Sequence, residues 1–156
     1  MVYSFGVSDS LFIWNTDRLL RTAKINSPEG LHFKSFDGVQ ETNPQYMDRY
    51  IVEEPRYRKL LYDSYRHVYY RIVAMSQQYK NKQNQLNLYE DKPWSIQILN
   101  NDLSLMGLVK MEPHMLDFET VLVTPKGLMV RLNQSHDESN PDKDPTFLLY
   151  ALDSLH

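Results

Sequence analysis

Asp63, Arg66, Tyr69 and Arg71 carry the densest potential chemistry in this sequence, set within Tyr62-Asp63-Ser64-Tyr65-Arg66-His67-Val68-Tyr69-Tyr70-Arg71. A guanidinium offers a planar fork of donors that matches a carboxylate or phosphate, and a tyrosine ring beside it offers an aromatic platform. The four therefore form a candidate binding site. The same residue types also have an architectural use, in which Arg71 lies over Tyr69 or pairs with an acid such as Asp63 to fix sheet geometry. Structural arginine contacts are the commoner case, so the architectural reading leads.

The remaining constellations are less specific. Glu112, His114, Asp117 and Glu119 offer oxygen and imidazole ligands for a metal, but their spacing matches no zinc motif and no second histidine lies nearby, which favours a solvated turn. Asp137, Asn140, Asp142 and Asp144 could chelate calcium, yet the segment lacks the sharp-turn glycine and the bidentate glutamate of an EF-hand, and reads as an acidic loop. There is no Gly-x-Ser-x-Gly elbow and no glycine-rich phosphate loop. Trp14, Trp94 and the tyrosines could stack on sugars, although their alternation in strands predicts both tryptophans in the core. No catalytic residue, metal ligand or cofactor is assigned on this basis.

Short strands must position these groups. Residues 57–62 and 67–74 read as a hairpin around a polar turn, with His67, Tyr69, Arg71 and Val73 on one face and Val68, Tyr70 and Ile72 on the other. Both faces are partly apolar, as expected for a strand sandwiched between layers. Segments 94–100 and 103–111 flank the turn signal Asn100-Asn101-Asp102, and 118–123 and 128–132 flank Thr124-Pro125-Lys126-Gly127. Segments 2–5, 11–15 and 19–25 come before these and 146–152 after them. Residues 26–49, broken by Pro28, Gly30, Gly38 and Pro44, read as a long connection anchored by Leu31, Phe33 and Phe36. Residues 76–91 read as a solvated excursion and 134–145 as a polar, acidic loop. No long amphipathic helix is expected, and the competing reading is a helix starting over 54–62.

Composition bounds the function classes. The 156 residues suit one domain burying roughly 70% of its unfolded surface, and 11 Tyr and 6 Phe against 5 Gly favour a folded, soluble, strand-rich protein. With 17 basic and 20 acidic residues and a formal net charge of −3, there is no cationic excess to recruit nucleic acid. Zero cysteines exclude disulfides, thiolate chemistry and Cys-zinc sites. The first residues show no signal-peptide pattern and no apolar run reaches the ~20 residues of a membrane span, so the expectation is neither export nor membrane insertion.

The strands group into repeats. Residues 57–111 make one four-stranded antiparallel meander, the unit of a propeller blade. Residues 118–152 repeat its first three positions and 2–25 fill the last three of a preceding one. The expected fold is all-β, about two and a half propeller blades in a single domain spanning 1–156, with a small β-sandwich or barrel as the alternative.

The Tyr-Asp-x-Tyr-Arg-x-Val-Tyr-Tyr-Arg core, followed by Lys92-Pro93-Trp94-Ser95-Ile96 and Val123-Thr124-Pro125-Lys126-Gly127-Leu128, resembles the C-terminal portion of domain-of-unknown-function family 4221. The resemblance spans about Val2 to Asp153. It implies bacterial, six-bladed-propeller-like proteins, usually taken to be envelope lipoproteins, more than twice this length and bearing an N-terminal lipobox cysteine. That cysteine is missing here, so the resemblance implies a fragment or a shortened relative, with the cell envelope or periplasm as the associated compartment. It brings no assigned activity.

The expected function is a binding or scaffold module without catalysis, with an unidentified protein or glycan as partner and self-association through apolar rows on 11–15 and 146–152. The alternative is a hydrolase or lyase at the blade axis, in which Tyr69 and Arg71 stabilise an anionic intermediate.

Overall fold

Turn chemistry organises the chain, and the computed structural model describes it over residues 1–28, 30–34, 43–111, 113–132 and 144–151. Ten strands and one α-helix lie among the described residues. They run β1 (Val2–Ser4), β2 (Ser10–Trp14), β3 (Leu19–Lys24), α1 (Pro44–Glu53), β4 (Arg56–Asp63), β5 (Val68–Ala74), β6 (Trp94–Leu99), β7 (Leu105–Met111), β8 (Leu116–Thr124), β9 (Gly127–Leu132) and β10 (Phe147–Tyr150). The fold is all-β. The strands form three antiparallel meanders, β1-β2-β3, β4-β5-β6-β7 and β10-β9-β8, and none of the three closes into a barrel. The central order β4-β5-β6-β7 is the one that the turn signals predict.

Each turn has a local cause. Between β6 and β7 the Asn100 Oδ1 accepts from the amides of Asp102 (3.0 Å) and Ser104 (2.8 Å), and Leu103 turns back at φ 67 to bury its side chain. Between β8 and β9, Gly127 sits at φ 146, and a Cβ there would overlap the Tyr150 carbonyl oxygen on β10, so only glycine lets the third sheet close up.

The central sheet is covered on both faces, and every residue of β6 is buried. One face presents Val68, Tyr70, Ile72, Ala74, Trp94, Ile96 and Ile98 to Leu116, Phe118, Val121, Leu128 and Val130 of the third sheet. The other packs Leu99 and Leu103, with Leu60 and Tyr69 beside them, on Leu11 of β2 and Ile25, which follows β3. This confirms the sandwiched character expected of β5.

Two expectations are corrected, and one competing reading is set aside. Pro44–Glu53 forms α1, so the last part of the 26–49 stretch is helix rather than connection: the Asn43 side chain caps the amides of Gln45 and Tyr46, and Pro44 sits in the first turn, where its missing N–H costs nothing. The competing helix over 54–62 does not form and the expected strand does, because Pro55 forces Glu54 out of helical geometry and β4 begins at Arg56. Trp94 is core at 1% exposure, but Trp14 is 38% exposed, because strand alternation turns it with Tyr3 to the outer face of the first sheet. Of the expected anchors, Phe33 packs 5.3 Å from the Tyr57 ring, Leu31 is half-buried, and Phe36 lies outside the described residues.

Candidate functional site

The four residues singled out from the sequence separate into two pairs on opposite faces of the central sheet. Asp63 ends β4 on the third-sheet side, fully buried. Its Oδ1 accepts from the amides of Tyr65 (2.9 Å) and Arg66 (3.1 Å), and its Oδ2 from Arg66 Nη1 (2.9 Å) and the Tyr70 hydroxyl (3.0 Å). Burial alone would raise the Asp63 pKa, but these four donors outweigh it and hold the carboxyl below its usual range. Arg66 then reaches across to the carbonyls of Thr124 (3.2 Å) and Pro125 (2.9 Å), tying the β4–β5 turn to the β8–β9 turn.

Arg71 and Tyr69 point the other way, as alternation requires. The Arg71 guanidinium is fully buried against the first sheet, donating to Ser4 Oγ (3.0 Å) and to the carbonyls of Asp9 (3.2 Å) and Ser8 (2.5 Å). Its Cζ lies 3.3 Å from the centre of the Tyr57 ring, whose hydroxyl donates to Asp9 Oδ1 at 2.5 Å. Burial pushes the Arg71 pKa down to about 10, against the opposing pull of Tyr57 and Asp9, and the same burial raises that of Tyr57. Tyr69 packs on Tyr62, rings 4.8 Å apart, and the Tyr62 hydroxyl meets His67 Nδ1 at 3.2 Å. Each arginine thus donates to several partners within the chain.

Lys92 is a functional-looking residue that the sequence reading passed over. At 1% exposure it donates from Nζ to the carbonyls of Ile51 (2.9 Å) and Glu54 (2.6 Å), closing the C-terminal end of α1 where helical carbonyls lack partners. Burial, with Arg56 adding to it, pushes its pKa down to about 8. The motif Lys92-Pro93-Trp94 thus sets the helix on the sheet.

Around that helix lies the concave surface. Within residues 76–91 a short hairpin is held by one bridge: Lys80 bridges Leu86, Asn81 Oδ1 accepts from the amides of Gln83 (3.0 Å) and Gln85 (2.9 Å), and the Asn87 amide donates to Tyr79 O at 3.0 Å, with a short 3-10 helix, Tyr89–Asp91, following. Between this hairpin and α1 runs a groove of about 200 Å³ lined by Asp48, Ile51, Val52, Tyr79 and Leu86–Tyr89. Beside it, Lys34, Glu53, Ser76, Gln77 and Gln78 line a polar cavity of about 350 Å³. The sequence signal for this cap was the pair of exposed leucines, Leu86 and Leu88, in an otherwise polar stretch.

The fold is a shared one. The chain is similar to the crystal structure of a member of the DUF4221 family from Bacteroides vulgatus, with a TM-score of 0.70 and 23% sequence identity over 97% of this chain and 42% of that chain. It therefore spans 42% of the length of that relative. At this identity the likeness shows the fold alone. The relative belongs to the family that the Tyr62–Arg71 motif resembles. No family model matches the sequence, and no curated protein matches it.

The weaker constellations are dispersed into separate pairs. His114 Nδ1 meets Asp91 Oδ1 at 2.9 Å, Asp117 pairs with Arg131 at 2.6 Å, and Glu119 pairs with Arg58 at 2.7 Å while its backbone carbonyl accepts from Lys59. Glu112 lies outside the described residues, as do Asp137, Asn140 and Asp142 of the calcium set, whose fourth member, Asp144, is exposed. Among the described residues, no group of three His, Asp or Glu side chains is arranged to hold a metal ion.

Proposed function

We propose that this chain is part of a propeller-type protein of the DUF4221 family that binds its ligand without transforming it, with recognition concentrated on the cap of α1 and residues 76–91. In this reading Asp63, Arg66, Tyr69 and Arg71 fasten blades together. The observation that carries it is the contrast in availability: both arginines donate to carbonyls, carboxylate or hydroxyl inside the chain, while the cap holds two leucines in solvent beside a polar cavity of about 350 Å³. Support for the propeller comes from three successive antiparallel meanders packed face to face and from the likeness in fold to the Bacteroides vulgatus protein.

The outer faces belong to the same reading. Tyr3 and Trp14 on the first sheet, and Leu122 and Leu149 on the third, are exposed large apolar groups of the kind that further sheets or a second copy cover. Self-association that rises with concentration in sedimentation velocity is the expected behaviour, and a strictly monomeric chain would argue that these faces need no cover.

Recognition is tested by nuclear magnetic resonance with a library of neutral and charged fragments. Shift changes gathered on 48–53 and 76–89 are expected. Changes gathered instead on Asp63, Arg66, Tyr69 and Arg71 would overturn the assignment of the site.

A further inference from the structure

Donors outnumber acceptors where β4 starts beneath α1. Arg56 opens β4, half-buried, and its guanidinium forms no hydrogen bond and no ion pair among the described residues. Its Nε is fully covered without an acceptor, while the two terminal nitrogens, equally unpaired, keep accessible surface. The Tyr50 ring of α1 lies 5.0 Å from its Cζ. Across the sheet Arg56 is the register partner of Ala74, and Ala74 of Trp94, so one row carries two orphaned donors, Arg56 Nε and Trp94 Nε1, on either side of its smallest side chain. Gln77 Oε1, orphaned likewise, brings no charge to balance them.

The charges around Arg56 are one-sided too. The Tyr89 ring has Arg58 Cζ at 5.4 Å and Lys92 Nζ at 5.8 Å. The acids of this corner are already held: Glu119 by Arg58 at 2.7 Å and by the Tyr89 hydroxyl at 3.2 Å, Glu54 by Lys34 at 2.9 Å, and Asp91 by His114 at 2.9 Å. Lys92 donates to two backbone carbonyls, which carry no net charge. After burial, repulsion from Arg56 is the largest influence pushing the Lys92 pKa down, ahead of the opposing pull of Glu54, the one acid that acts on it. Leaving a partly buried guanidinium without an acceptor costs free energy that a charged acceptor recovers.

We propose that Arg56 anchors a carboxylate-binding site at the base of the cap, its terminal nitrogens forming a two-pronged bond to a small organic acid, with Lys92 adding positive potential behind it. The planar fork matches the two oxygens of a carboxylate, and one unpaired guanidinium matches one negative charge. Resting on the binding reading above, this gives the cap a ligand class. A neutral amide would supply an acceptor and leave the charge unanswered.

The test is a resonance-resolved titration of the chain, at constant ionic strength, with benzoate, its neutral isostere benzamide and inorganic phosphate, read at the Arg56 side chain and at the amides of Tyr50 and Ala74. Saturable shifts with benzoate are expected there, with benzamide weaker by roughly tenfold or more. Arg56→Gln should cost benzoate about the same factor, and Arg56→Lys, which keeps the charge and loses the fork, should lose most of the affinity as well. Benzoate should also raise the thermal midpoint of the wild-type chain and leave that of Arg56→Gln unmoved. If Arg56→Gln does not fold, the contrast between benzoate and benzamide on the wild type decides. Equal binding of benzoate and benzamide, shifts gathered away from Arg56, or an Arg56→Gln chain that keeps its benzoate affinity overturns the site. Tighter binding of phosphate than of benzoate overturns the carboxylate assignment. Silence from benzoate while neutral fragments shift 48–53 and 76–89 removes this site and leaves the cap as a binding surface, and silence from both removes both readings.

Discussion

Against the third sheet, the central sheet presents Tyr70, Ile72, Trp94, Ile96 and Ile98 to Phe118, Val121 and Val130, while against the first it presents Arg71, Tyr57 and Gln97 to Ser4, Ser8, Asp9 and Ser27. The first of these interfaces is held by apolar area, which is strong and non-directional. Arg66 and Asp63 work only at its rim, where two turns meet. The second buries a guanidinium whose donors fit carbonyls at fixed positions, so sliding the first sheet by one residue breaks several hydrogen bonds at once. Both faces bury apolar area, and at the second, directional bonding adds register to it.

Truncation should separate the two most clearly. Phe118→Ala, at a site 2% exposed and 5.3 Å edge-on to Tyr89, is expected to cost about 3–5 kcal/mol in denaturant unfolding. Arg71→Ala should cost about 1–3 kcal/mol, the loss expected for a charged donor in a partly polar network. A larger loss at Arg71 than at Phe118 would reverse the comparison. A fully stable Arg71→Ala chain that had lost affinity for a carboxylate or phosphate ligand would make Arg71 a recognition residue.

The pH dependence sharpens the comparison, because the apolar face has nothing to titrate except at its rim. Lys92, outside both faces, has its folded pKa at about 8 against 10.5 for the free group. Between those values the unfolded chain holds more protons than the folded one, so stability should rise with pH across this window, by about 1–2 kcal/mol after allowance for solvent screening. Lys92→Met should abolish the rise. Asp63 gives a slope of the same sign in an acid window: its depressed pKa contributes stability that is complete above about 3.8 and is lost as pH falls through the folded value. Asp63→Asn should flatten that acid limb.

Local signals made most of the strand order legible. Asn100-Asn101-Asp102 and Thr124-Pro125-Lys126-Gly127 are turns whose residues satisfy their own backbone, and the alternation of β5 correctly put Arg71 and Tyr70 on opposite faces. What alternation could not show was which partner each face would meet. Asp63 and Arg71 sit eight residues apart in one hairpin, yet their partners lie on different sheets, at Thr124 and Pro125 for one pair and at Ser4, Ser8 and Asp9 for the other. The helix was missed through Pro44, which reads as a breaker in isolation and as a helix start once Asn43 is seen to cap it. The groove was missed because 76–91 is polar in composition, and its wall is built by the Lys80–Leu86 bridge and the hydrogen bonds around Asn81.

Hydrogen exchange, resolved by residue, on the wild-type and Arg71→Ala chains tests most directly whether Arg71 is the joint of one interface. The account predicts that Arg71→Ala loses protection first at Leu11, Phe12 and Ile13 in β2, while Val121, Leu122 and Val130 in β8 and β9 keep theirs. Uniform loss across all three sheets, or unchanged protection in β2, would contradict it.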